Sequence, residues 1–489
     1  MDDSEAPRRI LGMHSAATAL DSLRRLSETP SVAQLSAAFA GAGFELALVG
    51  GPVRDAFLGR AVNDLDFATN ATPDEILAIV IPISDTHWDI GRQFGTIGAR
   101  VSGETVEITT YRADQYDGET RKPEVAFGSS LEQDLARRDF TVNSMAVRLP
   151  ELILIDPFGG FDDLVARRLQ APSTPAMSFD EDPLRMMRAA RFVSQLGFEL
   201  TEETEWAMAE RATSIAKISA ERVNDELCKL LKTDSPRAGI QLLCRTGVAD
   251  LVIPEIPALR LEVDEHHHHK DVFEHSLTVL DQAIELEKSR HSDAEPDLVL
   301  RLAALMHDIG KPATRKLEPG GVVSFYHHDL VGAKLVAKRM KALRFDKETT
   351  VNVARLVELH LRFFGYTEGA WTDSAVRRYV RDAGDLLEQL HILTRADVTT
   401  RNKRKADRLS FAYDDLEARI AVLAEAEEMA AVRPDLDGEK IMEILGIGPS
   451  RVIGEAYDFL LNVRLDEGPL APEDAKVRLL AWWAQRETV

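Results

Sequence analysis

At 489 residues the chain is too long for one compact core and implies three or four domains. Its composition, 45% hydrophobic and 29% charged, is ordinary for a globular protein, and no run approaches the roughly 20 apolar residues of a membrane-spanning helix. A net charge of −22 excludes indiscriminate nucleic-acid binding, so a nucleic-acid partner has to meet a local basic track. Two stretches qualify: Arg185, Arg188 and Arg191 along one helix, and the run from Arg401 to Arg408. Cys228 and Cys244 sit in apolar helical context and read as reduced thiols rather than a disulfide framework. The acidic start Met1-Asp-Asp-Ser-Glu lacks the apolar region of a signal peptide, so a cytoplasmic location is expected.

Residues 1–30 are Ala/Ser-rich and charged, the pattern of a flexible tail, and a helix is expected near 31–42. The organising stretch follows at 48–68. It reads as strand, Gly50-Gly51 turn, short helix with Arg54-Asp55, then a strand bearing Asp64 and Asp66. Strand side chains alternate faces, so Asp64 and Asp66 project together while Leu65 and Phe67 enter the core. Two carboxylates on one face suit hard divalent cations, and a glycine turn lets a phosphate approach the backbone. The combination predicts phosphoryl or nucleotidyl transfer with two Mg²⁺ ions.

Thr72-Pro73-Asp74-Glu75 predicts a capped helix to about Val80, and 94–101 with 104–111 predicts a hairpin turning at Ser102-Gly103. Glu107, on the second hairpin strand, is the candidate third carboxylate beside the Asp pair. Residues 113–124 are polar with Gly118 and Pro123, the composition of a mobile, gating loop. Residues 134–143 read as a helix bringing together Arg138 for triphosphate and Asp139 and Asn143 for ribose. A strand at 152–155 closes this unit, and the remainder is helical in pattern.

A helix is expected over 183–196, with Asp182 as N-cap, Pro183 in its first turn and Gly197 as terminator. Its spacing sets Asp182, Arg185 and Arg188 on one face, continued by Arg191. An Arg–carboxylate pair there would imitate the hydrogen-bonding edge of a nucleobase. Amphipathic helices are expected at 221–232 and 236–250, followed by a linker at Pro254 and Pro257. The next unit concentrates His266 to His269, His275, His307-Asp308, His327-His328, His360 and Asp397, out of 13 histidines in the chain. Imidazole and carboxylate at these spaced positions are donors for a divalent transition metal. Asp397 is expected on a helix over 386–400, and Trp482-Trp483 to pack the last helix onto a core.

These motifs resemble the class II CCA-adding tRNA nucleotidyltransferase and bacterial poly(A) polymerase family. Leu48-Val-Gly-Gly-Pro-Val-Arg-Asp55 with Asp64-Leu-Asp66 is similar to its metal motif, and Arg137-Arg-Asp-Phe-Thr-Val-Asn143 to its ribose and triphosphate motif. Glu181-Asp-Pro-Leu-Arg185, running on through Arg188 to Arg191, resembles its protein template, and Glu221-Arg222 its next helix motif. His275, His307-Asp308 and Asp397 resemble an HD-domain metal set, with His328 and His360 as the extra histidines of binuclear members. The order of units looks like that of actinobacterial CCA-adding enzymes.

The resemblance implies an α+β fold. A small mixed-sheet, polymerase-β-like head at 31–170 is followed by a helical neck at 171–260, an HD domain at 261–400 and a helical tail at 401–489. It implies addition or repair of the 3′-terminal CCA of tRNA from CTP and ATP. Asp64 and Asp66 would hold Mg²⁺, Glu107 would assist, and Gly50, Gly51, Arg54, Arg138, Asp139, Asn143, Asp182, Arg185, Arg188 and Arg191 would contact the nucleotide. The HD unit would add a phosphohydrolase activity. Presence of loop 113–124 disfavours CC-only addition, and Phe94-Gly-Thr96 favours CCA addition over poly(A) synthesis. A-only addition and poly(A) synthesis remain the alternatives.

Overall fold

The computed structural model describes residues 16–62, 64–115, 124–127, 130–261, 271–319, 323–363, 365–366, 371–399, 402–427 and 433–486. The chain divides into two compact units: residues up to Leu230 together with Ala238–Leu251, and Leu231–Arg237 together with Val252 onward. No helix among the described residues is long and apolar enough to cross a membrane.

The first unit is built on strands β1 (Leu46–Val49), β2 (Leu65–Thr69), β3 (Thr86–Trp88), β4 (Thr96–Val101), β5 (Glu104–Thr110), β8 (Ala146–Leu149) and β9 (Ile153–Ile155), ordered β3-β4-β5-β2-β1-β8-β9. Within this sheet β2 and β5 are the one parallel pair; the other neighbours are antiparallel. The mixed sheet is the one expected. Every residue of central β1 is buried, and β2 sends Leu65 and Phe67 into the core as its alternation requires. The β4–β5 turn places Ser102 and Gly103 at positive φ (50° and 83°), the two-residue turn whose twist matches the flanking strands. Helix Pro73–Val80 starts with the expected capping box between Thr72 and Glu75.

Four local expectations change. Ala16–Ser27, read as tail, is a helix with Leu23 buried, while residues 1–15 lie outside the described residues. The flanks of the 113–124 segment form an antiparallel ribbon, β6 (Arg112–Gln115) with β7 (Glu124–Phe127); its tip, 116–123, lies outside the described residues. The 134–143 segment is not one helix. Helix Leu131–Ala136 ends and a 3₁₀ turn, Thr141–Asn143, follows, because Asp139 accepts the Phe140 N–H (2.8 Å) and breaks the ladder. The helix expected over 183–196 runs Arg185–Leu196, ending at Gly197 with φ 70°. Asp182 is extended, and bonds from Arg185 to Asp182 and from Met186 to Pro183 close a tighter i→i+3 turn ahead of it.

Helices Pro175–Glu181, Glu202–Glu210, Ala220–Leu231 and Arg237–Arg245 complete this part of the chain. The second unit is helical apart from one short pair of strands among the described residues. Its centre is helix Leu298–Met306, buried throughout from Leu300. Helices Val272–Arg290, Lys347–Leu359 and Leu387–Ala396 pack against it. Asp397 lies just past the last of these rather than inside a 386–400 helix. Helices Gly438–Leu445, Arg451–Glu467 and Pro472–Arg486 share a terminal core in which Trp482 stacks on Phe459.

Candidate active site

The first unit carries a cleft of about 980 Å³ that brings Asp64, Asp66 and Glu107 together with Gly50, Gly51, Arg54, Arg138, Asp139, Asn143, Asp182, Arg185, Arg188 and Arg191. The sheet register explains the carboxylates. Asp66 is the Cα partner of Glu107 across the parallel β2–β5 pair, so both share a face about 4.8 Å apart in the pairing direction. Asp64 precedes β2 on that same face. Burial, partly offset by the Arg138 guanidinium and reinforced by the charges of Glu107 and Asp64, pushes the Asp66 carboxyl up to about 6. An all-oxygen set of this kind fits a hard divalent cation.

Opposite lies the Gly50-Gly51 turn. Gly50 adopts φ 71°, ψ −121°, open only to glycine, and a Cβ there would lie 2.7 Å from Arg138 Nη1. Glycine therefore lets a guanidinium close over bare backbone. Helix Gly51–Phe57 then presents Arg54, whose Nε and Nη2 grip Asp55 (2.9 and 2.8 Å) and whose Nη1 donates to Asn143 Oδ1 (2.7 Å).

Asp139 and Asn143 line the cleft, but their polar atoms are already engaged. Asp139 Oδ1 accepts from the Phe140 N–H and Asn143 Nδ2 (2.9 Å), and Oδ2 accepts from Arg188 Nε and Nη2 (2.7 and 2.5 Å). Although burial opposes its charge, Arg188 and the Asn143 bond hold Asp139 down at about 2. Each Asp139 oxygen already accepts two bonds, so a ribose contact by Asp139 requires exchange of one of them, whereas Asn143 Nδ2 keeps a second N–H. The pair braces Arg54 and Arg188 across the cleft.

Asp182 and Arg185 do not form the expected pair. Arg185 Nη1 donates to Glu181 Oε2 (2.9 Å), Ser178 Oγ (2.8 Å) and the Ser178 carbonyl (3.1 Å), and Nη2 to the Arg137 carbonyl (2.5 Å). Asp182 Oδ1 caps the Leu184 N–H (3.1 Å), and Oδ2 accepts from Arg222 (3.0 Å). Each member is fixed by its own neighbours, with both lining the cleft.

Sequence reasoning missed Glu226. It is buried at 3% exposure and takes Arg191 Nε on Oε2 (2.7 Å) and Arg188 Nη1 on Oε1 (3.4 Å). Its signal was an acid on the apolar stripe Val223, Leu227, Leu230 of helix Ala220–Leu231. Arg191 also lies over the Phe192 ring, 4.1 Å from its centroid.

The second unit gathers the predicted histidines and aspartates at helix ends, in two groups: His275, His307 and Asp397, and Asp308, His328 and His360. His266 to His269 lie outside the described residues. His307, His328 and His360 each turn Nδ1 to the carbonyl three residues back, Ala304 (2.9 Å), Phe325 (2.8 Å) and Val357 (2.6 Å). That bond fixes the Nδ1–H tautomer and aims Nε2 inward. Among the described residues, His328 Nε2 and His360 Nε2 are buried and make no well-formed hydrogen bond, the former facing the Asp308 carboxylate, as waiting ligands would. Asp308 faces both groups, with Oδ2 3.3 Å from His307 Nε2 and Oδ1 3.3 Å from His328 Nε2. Against the effect of burial, Asp308 and Asp397 raise His307 to about 9, whereas burial and the neighbouring His307 lower His360 to about 4. The nitrogen and oxygen donors fit a divalent transition metal.

Three family descriptions match along the chain: "Poly A polymerase head domain" at 46–170, "Probable RNA and SrmB- binding site of polymerase A" at 197–259, and "HD domain" at 272–402. The A-adding tRNA nucleotidyltransferase of Deinococcus radiodurans is 34% identical over 446 residues, covering 89% of this chain and 95% of that protein. The CCA-adding enzyme of Lactococcus lactis subsp. cremoris is 36% identical over 336 residues, 65% of this chain and 80% of that enzyme. The match to the Bacillus pumilus CCA-adding enzyme, 42% identical, spans only 52% of its length. In fold, the chain is similar to the Bacillus stearothermophilus CCA-adding enzyme in complex with CTP. The TM-score is 0.65 at 24% identity, covering 94% of this chain and 99% of that one.

Proposed function

Because this chain belongs to the family of tRNA nucleotidyltransferases that holds the CCA-adding and A-adding enzymes, we propose that it adds or repairs the 3′-terminal CCA of tRNA from CTP and ATP in the first-unit cleft. The observation that carries this reading is the convergence in one cavity of a carboxylate face, Asp64, Asp66 and Glu107, and base-edge donors and acceptors on Asp182 and Arg185. Such a cleft selects a nucleotide with protein groups, without a nucleic-acid template.

In the reaction the RNA 3′-oxygen attacks the α-phosphorus of the nucleotide, and the bond to the pyrophosphate oxygen breaks. Asp64 and Asp66 are the residues that would hold Mg²⁺, which when bound supplies hydroxyl activation and neutralisation of triphosphate charge. Glu107 orients the attacking hydroxyl from the neighbouring strand. Arg54 and Arg138 hold the triphosphate over the open backbone of Gly50 and Gly51. Asp182 and Arg185 read the base by exchanging their bonds to Arg222 and to Ser178, Glu181 and Arg137, and Arg188 and Arg191, steadied by Asp139 and Glu226, set the pocket wall. Arg185→Ala should blur the CTP/ATP choice by about tenfold, the discrimination of one lost charged hydrogen bond, with metal affinity retained. Competition incorporation with both nucleotides measures this.

A second reading, addition of A alone, is favoured by the Deinococcus radiodurans relative, of which the chain covers 95%. Sequencing the 3′ ends of tRNA transcripts lacking CCA, or ending in C or CC, after incubation with CTP and ATP separates the two. A stop at CCA on all three substrates is expected. Extension of only the CC transcript assigns the A-adding activity, and long A tails on unrelated RNA assign poly(A) synthesis. The histidine–aspartate centre supports a second, metal-dependent phosphohydrolase activity held by His275, His307, Asp308, His328, His360 and Asp397. The supporting observation is the pair of buried imidazole nitrogens that make no well-formed hydrogen bond among the described residues.

A further inference from the structure

We infer that the start of helix Lys403–Glu427 is an RNA-binding surface, separate from the cleft, on which Arg404 and Arg408 hold backbone phosphates and Phe411 stacks a base. The inference rests on the RNA-directed reading above and assigns it a surface.

The helix is anchored by one face. Leu409, Tyr413 and Leu416 are buried, and Tyr413 Oη donates to the Thr394 carbonyl (2.6 Å). At about 100° per residue, Arg404, Arg408 and Phe411 fall within one narrow sector pointing away from that buried face. Lys405 borders the sector beside Arg408. Phe411 is 73% exposed, and Lys403, Arg404, Lys405 and Arg408 are all exposed.

Charge marks this patch. Several arginines elsewhere in the same unit are tied to carboxylates: Arg290 to Glu388 and Glu417, Arg339 to Glu255, Arg395 to Asp414 and Glu417, Arg419 to Asp373. Lys403, Arg404, Lys405 and Arg408 make no ion pair among the described residues, and Asp407 is the sole carboxylate within the run. In a chain of net charge −22, four cations left unpaired within six residues repel one another. A polyanion removes that repulsion. An exposed aromatic ring on the same face adds what a nucleic acid, unlike an acidic peptide, uses: a platform for a base.

Position points the same way. Asp397, a member of the histidine–aspartate centre, precedes Lys403 by six residues, so the two lie at most about 22 Å apart along an extended chain. Thr399, between them, hydrogen-bonds His275 Nδ1 (3.2 Å). The surface therefore flanks the second centre.

The test is fluorescence anisotropy of a labelled single-stranded oligoribonucleotide with the full chain, at several salt concentrations. The combined variant Lys403→Gln, Arg404→Gln, Lys405→Gln, Arg408→Gln should weaken binding at least tenfold at low salt. It should also reduce the slope of log K against log salt by about 1.4, at roughly 0.7 for each of the two phosphate contacts of Arg404 and Arg408, and by more if the lysines contribute. Phe411→Ala should weaken binding about fivefold or more while leaving the slope unchanged, the signature of stacking. If the combined variant melts early, Arg408→Gln alone serves, with a slope change of about 0.7. Wild-type affinity and slope in folded variants overturn the surface. CTP and ATP incorporation by the wild-type chain, read in parallel, tests the activity separately, so failure of one is not mistaken for failure of the other.

Discussion

Asp66→Asn and Asp64→Ala should each lower nucleotide incorporation by about 10³-fold or more while leaving tRNA binding within about threefold. Each substitution removes a charged oxygen donor from the face proposed to carry a divalent cation. Loss of that charge stabilisation costs several kcal/mol of barrier, at about 1.4 kcal/mol per decade of rate. Neither side chain is needed to shape the fold, since Leu65 and Phe67 do the packing in β2. Single-turnover incorporation of labelled CTP, with filter binding of the transcript alongside, measures both. Near-normal turnover in either variant would remove these residues from the reaction.

The same face sets a pH dependence. Asp66 is held up at about 6 chiefly by burial, so below that value a metal ion has to displace its proton. Apparent metal affinity should fall about tenfold per pH unit below about 6 and level off above it. Glu107 contributes to the upward shift through its own charge. Glu107→Gln should accordingly move the midpoint to lower pH, which titration of Mn²⁺ binding across pH 4–8 would detect.

What sequence could and could not supply follows from the range of the interactions. Strand parity placed Asp64 and Asp66 on one face because alternation is local, and the Gly50 turn was readable because its φ excludes other residues. The histidines at helix ends were readable as donors by residue type. The partners of Asp139 were not. Its neighbours in sequence correctly included Asn143, but the bond that fixes its charge comes from Arg188, 49 residues away. The same holds for Asp182, whose oxygen is taken by Arg222 across 40 residues rather than by Arg185 in the next turn. Local spacing pairs residues that face one another on a helix, and here the chain around Asp182 and Pro183 is a tighter turn with a different geometry. Glu226 was hidden because a buried acid looks like an error in an apolar stripe until the two arginines that justify it are brought alongside.

Asp308→Asn should collapse the second centre as a whole, lowering bound transition metal from the two ions per chain that its two donor groups are proposed to hold to one or none and weakening the remaining affinity by about 100-fold. Asp308 is the carboxylate that faces both donor groups, within 3.6 Å of His275, 3.3 Å of His307 and 3.3 Å of His328. Its charge, held well below the usual carboxylate range by His307 and Lys311 in spite of burial, is what offsets crowding of cationic or metal-bearing groups. The amide keeps the shape but removes the anion, so His307 should lose the stabilisation that holds its imidazolium at about 9. Elemental analysis of protein purified with added Mn²⁺, Co²⁺ or Ni²⁺ reads the stoichiometry. Hydrolysis of bis-p-nitrophenyl phosphate reads the activity, which should drop about 10³-fold if several kcal/mol of metal assistance is lost. Incorporation of CTP and ATP should be unchanged, because none of these side chains lines the first-unit cleft. Undiminished hydrolysis in Asp308→Asn, with metal content halved, would mean that the phosphohydrolase chemistry belongs to a single ion at His275, His307 and Asp397. Undiminished hydrolysis with no metal bound at all would remove the metal-dependent reading of this centre.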